Sequence, residues 1–230
     1  MINMVVISGV DEAGRGCVLG PMVLSICSIE ESKEDFFRQK GVTDSKLIPK
    51  KKRENLFEII KKEAVEYKIS VIPAAELNIL MNNYSLNEIE AIKTAEMISS
   101  LKKQTSKVIL DSPDISENMY KLRIISNLKK IKFDFDENKI ISEHKADLNY
   151  ICAGCASIIA KVTRDFLLNK LIGSNLSGYS SDPKTIEYIK NYILENKKLP
   201  DFARTKWKTI DNIFKDLYQK KIGWFNEKDK

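Results

Sequence analysis

Two apolar, β-branched runs near the start of the chain, separated by a short glycine-rich segment, constrain the fold more than any other feature. Residues 4–10 and 18–29 have the composition of buried strands. The segment between them, DEAGRGCVLGP, carries the glycines of a tight turn. The pattern predicts that the chain begins with two neighbouring strands of a sheet.

The rest of the chain alternates between helical and strand-like segments. A basic amphipathic helix is expected after Pro49, and Ser85 with Glu88 forms a capping box for another helix. Asp182 and Pro183 are suited to the start of a later helix. Further strands are predicted at residues 67–72, 107–110 and 139–142, and further helices at 118–129 and 148–172. This order favours a mixed α/β sheet with helices packed on it.

Composition excludes several classes of protein. The chain has 230 residues, 43% of them hydrophobic, which is typical of a globular protein with a real core. No apolar run approaches the roughly 18 residues of a membrane span, and the N-terminus lacks the basic region of a signal peptide. The 4 cysteines are too few for a disulfide framework, so we expect a cytoplasmic protein. The formal net charge of +6 favours a polyanionic partner, such as nucleic acid or an anionic lipid surface.

Four acidic residues lie next to apolar segments, where a charged carboxylate is energetically unfavourable. Asp11 and Glu12 follow the first apolar strand, Asp111 follows the apolar run VIL, and Asp147 precedes the longest apolar helix. Neighbouring carboxylates at the edge of a core repel each other and lose hydration, unless a divalent cation binds between them. Each acid alone has an ordinary structural interpretation, which for Asp147 is a helix N-cap. Together, in a basic protein, they indicate metal-dependent cleavage of a phosphodiester backbone.

Seven motifs, in the same order along the chain, carry a resemblance to a known family. They are GVDEAGRGCVLGP, TDSKL, LDSPD, EHKAD, ASIIAKVTRD, GYSSDP and WKTIDN. The chain resembles ribonuclease HII, the type 2 ribonucleases H, in its archaeal style, to about residue 222. The resemblance implies an α/β, ribonuclease H-like fold: a mixed five-stranded sheet flanked by helices, with a C-terminal helical segment. We therefore expect one domain over 1–222, with a catalytic core to about 172, a helical segment over about 173–222 and a frayed tail at 223–230.

The resemblance also implies a site and a reaction. Asp11, Glu12, Asp111 and Asp147 would be both the catalytic residues and the ligands of two Mg²⁺ or Mn²⁺ ions. In-line attack by water would cut the RNA strand of RNA–DNA hybrids, and would cut on the 5′ side of ribonucleotides embedded in duplex DNA. The products would carry 3′-hydroxyl and 5′-phosphate ends, and the cellular role would be removal of ribonucleotides and primers.

Five further residues are expected to bind the substrate. By resemblance, the backbone of Gly14, Arg15 and Gly16 would contact the 2′-hydroxyl of a ribonucleotide, and Tyr179 would stack on the next sugar. Lys46 would contact a phosphate. Ordinary interpretations are a loop-packing aromatic for Tyr179 and a solvated lysine for Lys46.

Four residues outside this set leave questions open. Cys17 stands where the family usually has proline, and Cys152 with Cys155 forms a CxxC spacing where small or aliphatic residues are usual. Cys17 in place of proline would make its turn less rigid. We interpret the thiols of Cys152 and Cys155 as small apolar groups, because a lone CxxC is weak evidence for zinc. His144, the only histidine, neighbours Asp147 and fits either a proton shuttle or a structural hydrogen bond.

Expected partners are RNA–DNA hybrid or ribonucleotide-containing duplex DNA, and no membrane. We expect a monomer; a sliding-clamp partner is left open, since no motif identified in the sequence supports one. The main alternative is a module that binds RNA–DNA hybrids without cutting them, which would be expected to lack at least one of the four acids.

Overall fold

A computed structural model describes residues 4–173 and 176–226, with the backbone alone for 218–226. In these residues five strands form one mixed sheet in the order β3-β2-β1-β4-β5. The strands are β1 (Val6–Ala13), β2 (Met22–Glu30), β3 (Glu66–Ile72), β4 (Lys107–Asp111) and β5 (Ile140–Glu143). β1 pairs antiparallel with β2 and parallel with β4, and β4 pairs parallel with β5. The mixed five-stranded sheet predicted from the sequence is confirmed.

Helices follow the strands much as the sequence predicts. They are α1 (Glu34–Lys40), α2 (Lys50–Glu63), α3 (Ala74–Leu80), α4 (Leu86–Ser99), α5 (Glu117–Lys130), α6 (Ala146–Asn149), α7 (Ile151–Ile172), α8 (Pro183–Asn196) and α9 (Lys208–Asn226). The side chain of Ser85 accepts a hydrogen bond from the Glu88 amide, and that of Asp182 accepts one from the Lys184 amide. Both predicted helix starts are confirmed.

The structure differs from the sequence prediction at several places. The second strand, predicted over 18–29, begins only at Met22, because the amides of Val18 and Leu19 bond to the carbonyl of Gly178 instead. β1 continues beyond residue 10 to Ala13, because Asp11 and Glu12 remain paired with β2. The two acids therefore lie within the strand rather than after it. Helix α1 was not predicted, since it is only 7 residues long and Phe37 is its one buried residue. The long helix expected over 148–172 is divided at Tyr150, whose extended backbone separates α6 from α7.

One compact unit contains most of the sheet and consists of Met1–Ala13, Val23–Val71 and Tyr84–Arg164. Its core brings apolar residues of β1, β2 and α2 against the first half of α7. Gly9 permits this packing, because a Cβ there would lie 2.1 Å from the backbone nitrogen of Ala153. Helix α7 therefore lies directly on β1, the strand that carries Asp11.

The other compact unit consists of Gly14–Met22, Ile72–Asn83 and Asp165–Lys230. The amides of Val18 and Leu19 both donate to the carbonyl of Gly178, and the amide of Arg204 donates to the carbonyl of Val18. A buried apolar cluster fills this unit. The division of the chain near residue 172, expected from the sequence, stays a prediction. Within the described part of the chain, no helix combines the length and apolar character needed to cross a membrane.

Candidate metal centre

Adjacent parallel strands place the first and third acids side by side. Val10 of β1 is in register with Leu110 of β4, and the next residue on each strand is an aspartate. Side chains at equivalent positions of neighbouring strands lie on the same face. Asp11 and Asp111 are therefore brought together by sheet register, although 99 intervening residues separate them in the sequence.

Three carboxylates form a group with the dimensions of a cation site. One oxygen from each of Asp11, Glu12 and Asp111 lies within 4.8 Å of the others. The Glu12 amide donates a 2.7 Å hydrogen bond to Oδ1 of Asp11. Oxygen ligands from carboxylates are those that Mg²⁺ and Mn²⁺ take in proteins, so these side chains fit the ion that the sequence predicts.

Asp147 is buried on the short helix α6, close to the same group. The amide of the preceding residue, Ala146, donates a 2.8 Å hydrogen bond to Oδ1 of Asp111, which ties α6 to the end of β4. Burial and the charges of Asp111 and Asp44 raise the pKa of Asp147 to about 6. Asp147 lies outside the 4.8 Å group itself, but its charge acts on Asp111 and Asp11.

Burial and mutual repulsion make ionisation of these acids costly. Burial, followed by the charges of Glu12 and Asp111, raises the pKa of Asp11 well above its usual range. Burial also raises the pKa of Asp111 to about 6, in part against a hydrogen bond from the Ala146 amide. A divalent cation would remove the repulsion and so lower these pKa values. The electrostatics, like the distances, fit a metal centre.

A short turn carries Lys46 beside this group. Residues Ser45–Leu47 form a single 3-10 turn, which begins where Oδ1 of Asp44 accepts a 2.8 Å hydrogen bond from the Lys46 amide. Partial burial lowers the pKa of Lys46, but the charges of Asp44 and the acid group outweigh this effect and raise it. Lys46 is exposed, so its ammonium group is accessible to a ligand.

Two residues of this centre were missed by the sequence interpretation. The charge of Asp44 adds to the burial that raises the pKa of Asp147, and the Ser157 hydroxyl partly offsets the burial that raises the pKa of Asp11. Both residues lie within motifs that carry the family resemblance, TDSKL and ASIIAKVTRD. Their position in those motifs was the available signal, but neither residue type indicates a contact with a distant acid.

The expected 2′-hydroxyl site lies in the second compact unit, where the structure brings its residues together. Gly14 has a φ of +82°, which favours glycine. The backbone of Tyr179 pairs with that of Cys17 in an isolated antiparallel β-bridge. The Tyr179 ring would be 3.9 Å from a Cβ added to Gly16. The structure thus places Tyr179 beside the backbone of the Gly14–Arg15–Gly16 segment.

Arg204 binds the backbone of this segment, a role that was not predicted from the sequence. Its Nη1 donates a 2.9 Å hydrogen bond to the carbonyl of Arg15, and its Nε donates a 3.0 Å hydrogen bond to the carbonyl of Gly20. The guanidinium is fully buried, and its carbon lies 4.9 Å from the centre of the Trp207 ring. A buried cation that binds two carbonyls fixes the backbone between them.

His144 and the cysteines have ordinary surroundings. The His144 amide donates to Oε1 of Glu117 at 2.7 Å, and its Nδ1 is 3.2 Å from the carbonyl oxygen of Ser112. The thiols of Cys152 and Cys155 are buried, and burial raises the pKa of both. High pKa values disfavour the thiolate form, which is the reactive and metal-binding one.

Comparison with known proteins gives consistent results. The family model for ribonuclease HII matches residues 8–210. Ribonuclease HII from Methanocaldococcus jannaschii is 38% identical over 232 residues, which cover 94% of this chain and 98% of that protein. The crystal structure of ribonuclease H2 from Pyrococcus horikoshii superimposes with a TM-score of 0.81 at 34% identity, covering 90% of this chain and 96% of that one. The ribonuclease HII in a PCNA:RNase HII complex from Archaeoglobus fulgidus superimposes with a TM-score of 0.77 at 34% identity, covering 89% of this chain and 96% of that one.

A mixed five-stranded sheet with a carboxylate group on its central strands defines the class of ribonuclease H-like, metal-dependent hydrolases. The chain belongs to the ribonuclease HII family. It is accordingly a divalent-metal-dependent endoribonuclease, a ribonuclease H acting on RNA–DNA hybrids.

Proposed function

We propose that this ribonuclease H cuts both long RNA–DNA hybrids and duplex DNA that contains a single ribonucleotide, on the 5′ side of that ribonucleotide. In-line attack by water would leave 3′-hydroxyl and 5′-phosphate ends. The observation that carries the proposal is the group of three carboxylate oxygens within 4.8 Å, contributed by Asp11, Glu12 and Asp111.

The four predicted acids would hold two Mg²⁺ or Mn²⁺ ions. Asp11, Glu12 and Asp111 supply the close oxygens, and Asp147 supplies a further buried carboxylate whose charge acts on Asp111. Such ions lower the pKa of an attacking water and stabilise charge on a leaving oxygen. Lys46, exposed beside the acids, would bind a phosphate of the scissile strand.

Selection of the ribonucleotide would rest on the Gly14–Arg15–Gly16 segment and on Tyr179. A 2′-hydroxyl is the group that distinguishes RNA from DNA at a single nucleotide. Backbone groups of a segment without Cβ atoms at two of three positions allow close approach to that hydroxyl. The Tyr179 ring lies beside Gly16 and would stack on a neighbouring sugar.

A labelled DNA duplex with one ribonucleotide tests both parts of the proposal. With Mg²⁺ or Mn²⁺ we expect one cut on the 5′ side of the ribonucleotide, and none with chelator. Tyr179→Ala should lose most activity on this substrate and retain activity on a long hybrid. If the wild type cuts only the long hybrid, the 2′-hydroxyl proposal is wrong. If the folded protein cuts neither substrate with either metal, a non-cleaving hybrid-binding module becomes the better interpretation.

We further propose that the protein acts as a cytoplasmic monomer in the removal of ribonucleotides and primers, and that it binds a sliding clamp. The complex of a relative with PCNA supports the clamp interaction. Gel filtration with Archaeoglobus fulgidus PCNA should shift the full chain into a larger species. The absence of any shift for the full chain would leave the clamp proposal without support, whereas an obligate assembly without PCNA would contradict the monomer.

A further inference from the structure

One cation of the basic run at the start of α2 is buried, unlike its neighbours. Lys50, Lys51 and Lys52 are exposed, whereas Arg53 is only 8% exposed. Charged side chains are rarely buried unless their polar groups are bonded, because burial removes their hydration. The burial of Arg53 therefore requires hydrogen-bond acceptors inside the protein, and those acceptors indicate its role.

Arg53 binds backbone carbonyls on both sides of Lys46. Its Nη1 donates a 2.6 Å hydrogen bond to the Ser45 carbonyl and a 3.1 Å hydrogen bond to the Ile48 carbonyl. Lys46 and Leu47 lie between these two carbonyls in the chain. The guanidinium therefore fixes the backbone on both sides of the exposed lysine.

The turn that carries the lysine is also fixed to α7, close to one of the four acids. Oγ of Ser157 on α7 donates a 2.9 Å hydrogen bond to Oγ of Ser45. About one helical turn earlier, a Cβ added to Gly154 would be 3.1 Å from the carbonyl oxygen of Asp147 and 3.6 Å from the carbonyl carbon of Thr43. Helix α7 therefore contacts both the short helix that carries Asp147 and the segment that leads into the turn.

A fixed backbone lowers the entropic cost of a contact made by a long side chain. The exposed side chain of Lys46 loses rotamer freedom when its ammonium group binds a phosphate. A mobile turn would add the cost of ordering its backbone to that loss. Hydrogen bonds to the carbonyls that flank Lys46 remove this second cost before the substrate binds.

We propose that Arg53 is a positioning residue, which holds the turn so that Lys46 is in place to bind a phosphate of the substrate. The inference rests on the proposed function, because Lys46 binds a phosphate only if that part of the proposal is correct. Arg53 itself would not touch the nucleic acid, since its guanidinium is buried and bound to carbonyls. Its effect would pass through Lys46.

The test measures the KM for an RNA–DNA hybrid at KCl concentrations between about 50 and 200 mM, with Mg²⁺ held constant. A lysine that binds a phosphate releases a counterion, so its loss should make the slope of log(1/KM) against log[KCl] less steep by about 1. Lys46→Ala should show this change and should raise KM by roughly 10-fold, the lower end of the effect of a hydrogen bond to a charged group.

Arg53→Met removes the hydrogen bonds to the turn and keeps a long side chain. It should raise KM by at least about threefold and make the slope less steep by roughly 0.5–1, with kcat changed by less than about threefold. Because both changes would act on one contact, the double variant with Lys46→Ala should have a KM within about twofold of Lys46→Ala alone. A merely structural role would lower the amount of active protein, and so kcat, without changing the salt dependence of KM.

Lys33→Met is the matched control. Nζ of Lys33 also donates to a backbone carbonyl of α2, that of Glu63 at 3.2 Å, but at the far end of the helix from Lys46. The change removes the same unit of charge, and it should leave both KM and the salt slope within error of the wild type. Should Arg53→Met not fold, Arg53→Lys keeps the charge on a shorter side chain without the planar fork, and it should show the same changes to a smaller extent.

The outcomes distinguish this inference from the proposed function. If Lys46→Ala behaves as expected and folded Arg53→Met, or Arg53→Lys in its place, matches the wild type, the positioning role is wrong and the Lys46 contact stands. If the effects of Arg53→Met and Lys46→Ala multiply in the double variant, or if Lys33→Met has as large an effect, the inference is also wrong. If Lys46→Ala itself changes neither KM nor the slope, the phosphate contact falls, and this inference falls with it.

Discussion

Removing one charge from the acid group should stabilise the metal-free protein while it destroys activity. Asp111→Asn is the suitable change, because the amide keeps an oxygen that can accept the hydrogen bond from the Ala146 amide, now 2.8 Å long. The neutral side chain removes the repulsion from Glu12, and it avoids the cost of burying a charge. Metal-dependent cleavage should fall by at least about 100-fold, since a ligand is lost.

The size of the stabilisation expected for Asp111→Asn follows from the pKa of Asp111. A pKa raised from 3.8 to about 6 disfavours the ionised form by roughly 3 kcal/mol, at about 1.36 kcal/mol for each pKa unit. Because Asp111 is only partly buried, solvent screening reduces the expected gain to roughly 1–2 kcal/mol. For a chain of this size, each kcal/mol changes Tm by about 2–4 °C, so we expect an increase of roughly 2–8 °C.

The difference in stability between the wild type and Asp111→Asn should change with pH in one direction. A carboxyl group whose pKa is raised by folding stabilises the folded state below its unfolded pKa, and this contribution is lost as the pH rises through the folded value. The wild type in chelator should therefore lose stability relative to Asp111→Asn between about pH 4 and pH 7. The difference in Tm should be near zero at pH 4 and largest at pH 8.

Thermal unfolding in chelator, followed by circular dichroism at pH 4, 6 and 8, measures this difference. Asp134→Asn, which neutralises an exposed acid, is the control and should change Tm by no more than about 2 °C. Adding Mg²⁺ should stabilise the wild type more than Asp111→Asn. A Tm for Asp111→Asn at or below the wild-type value at pH 8 would refute the argument that the acids repel each other in the metal-free protein.

Three further predictions concern the backbone. Gly9→Ala should destabilise the protein by roughly 3 kcal/mol in urea unfolding, because its Cβ would lie 2.1 Å from the Ala153 nitrogen; an unchanged midpoint would contradict the close packing of α7. Gly16→Ala should keep Tm within about 2 °C, since the nearest atom to its Cβ is 3.9 Å away, but should cut a single-ribonucleotide duplex at least tenfold more slowly; equal rates would argue against backbone recognition there. Arg204→Lys should lose one of the hydrogen bonds to the carbonyls of Arg15 and Gly20, and so should raise KM for the same duplex; an unchanged KM would show that the segment needs no such support.

The sequence predicted those parts of the molecule that depend on local pattern. The apolar run VIL followed by Asp111 indicates a strand with an acid at its end, and β4 ends at Asp111 as predicted. Ser85 and Asp182 predict helix starts because capping needs only neighbouring residues. Family resemblance supplied the sheet as a whole, which the local pattern alone gave only as a mixed α/β arrangement.

What the sequence could not predict depends on contacts between distant segments. The extension of β1 past residue 10 arises from pairing with β2, which overrides the polar character of Asp11 and Glu12. The charge of Asp44 acts on Asp147 because a turn and a short helix lie close together in the fold, and nothing in TDSKL specifies that proximity. Arg204 appears in the sequence as one of many basic residues, yet it is fully buried.

The packing of α7 on β1 explains how the fold tolerates its acid group. Desolvation of Asp11 and repulsion between the carboxylates oppose folding in the absence of metal. The close contact at Gly9 and the hydrogen bond from Ser25 to Ala156 hold the helix in place against that opposition. A looser helix would let Asp147, which lies on the adjoining α6, move away from Asp111 and take up water, which would relieve the repulsion between them and lower the affinity for a cation. The same contacts that stabilise the sheet therefore keep the acids close enough to bind metal, so Gly9→Ala should weaken Mn²⁺ binding as well as folding.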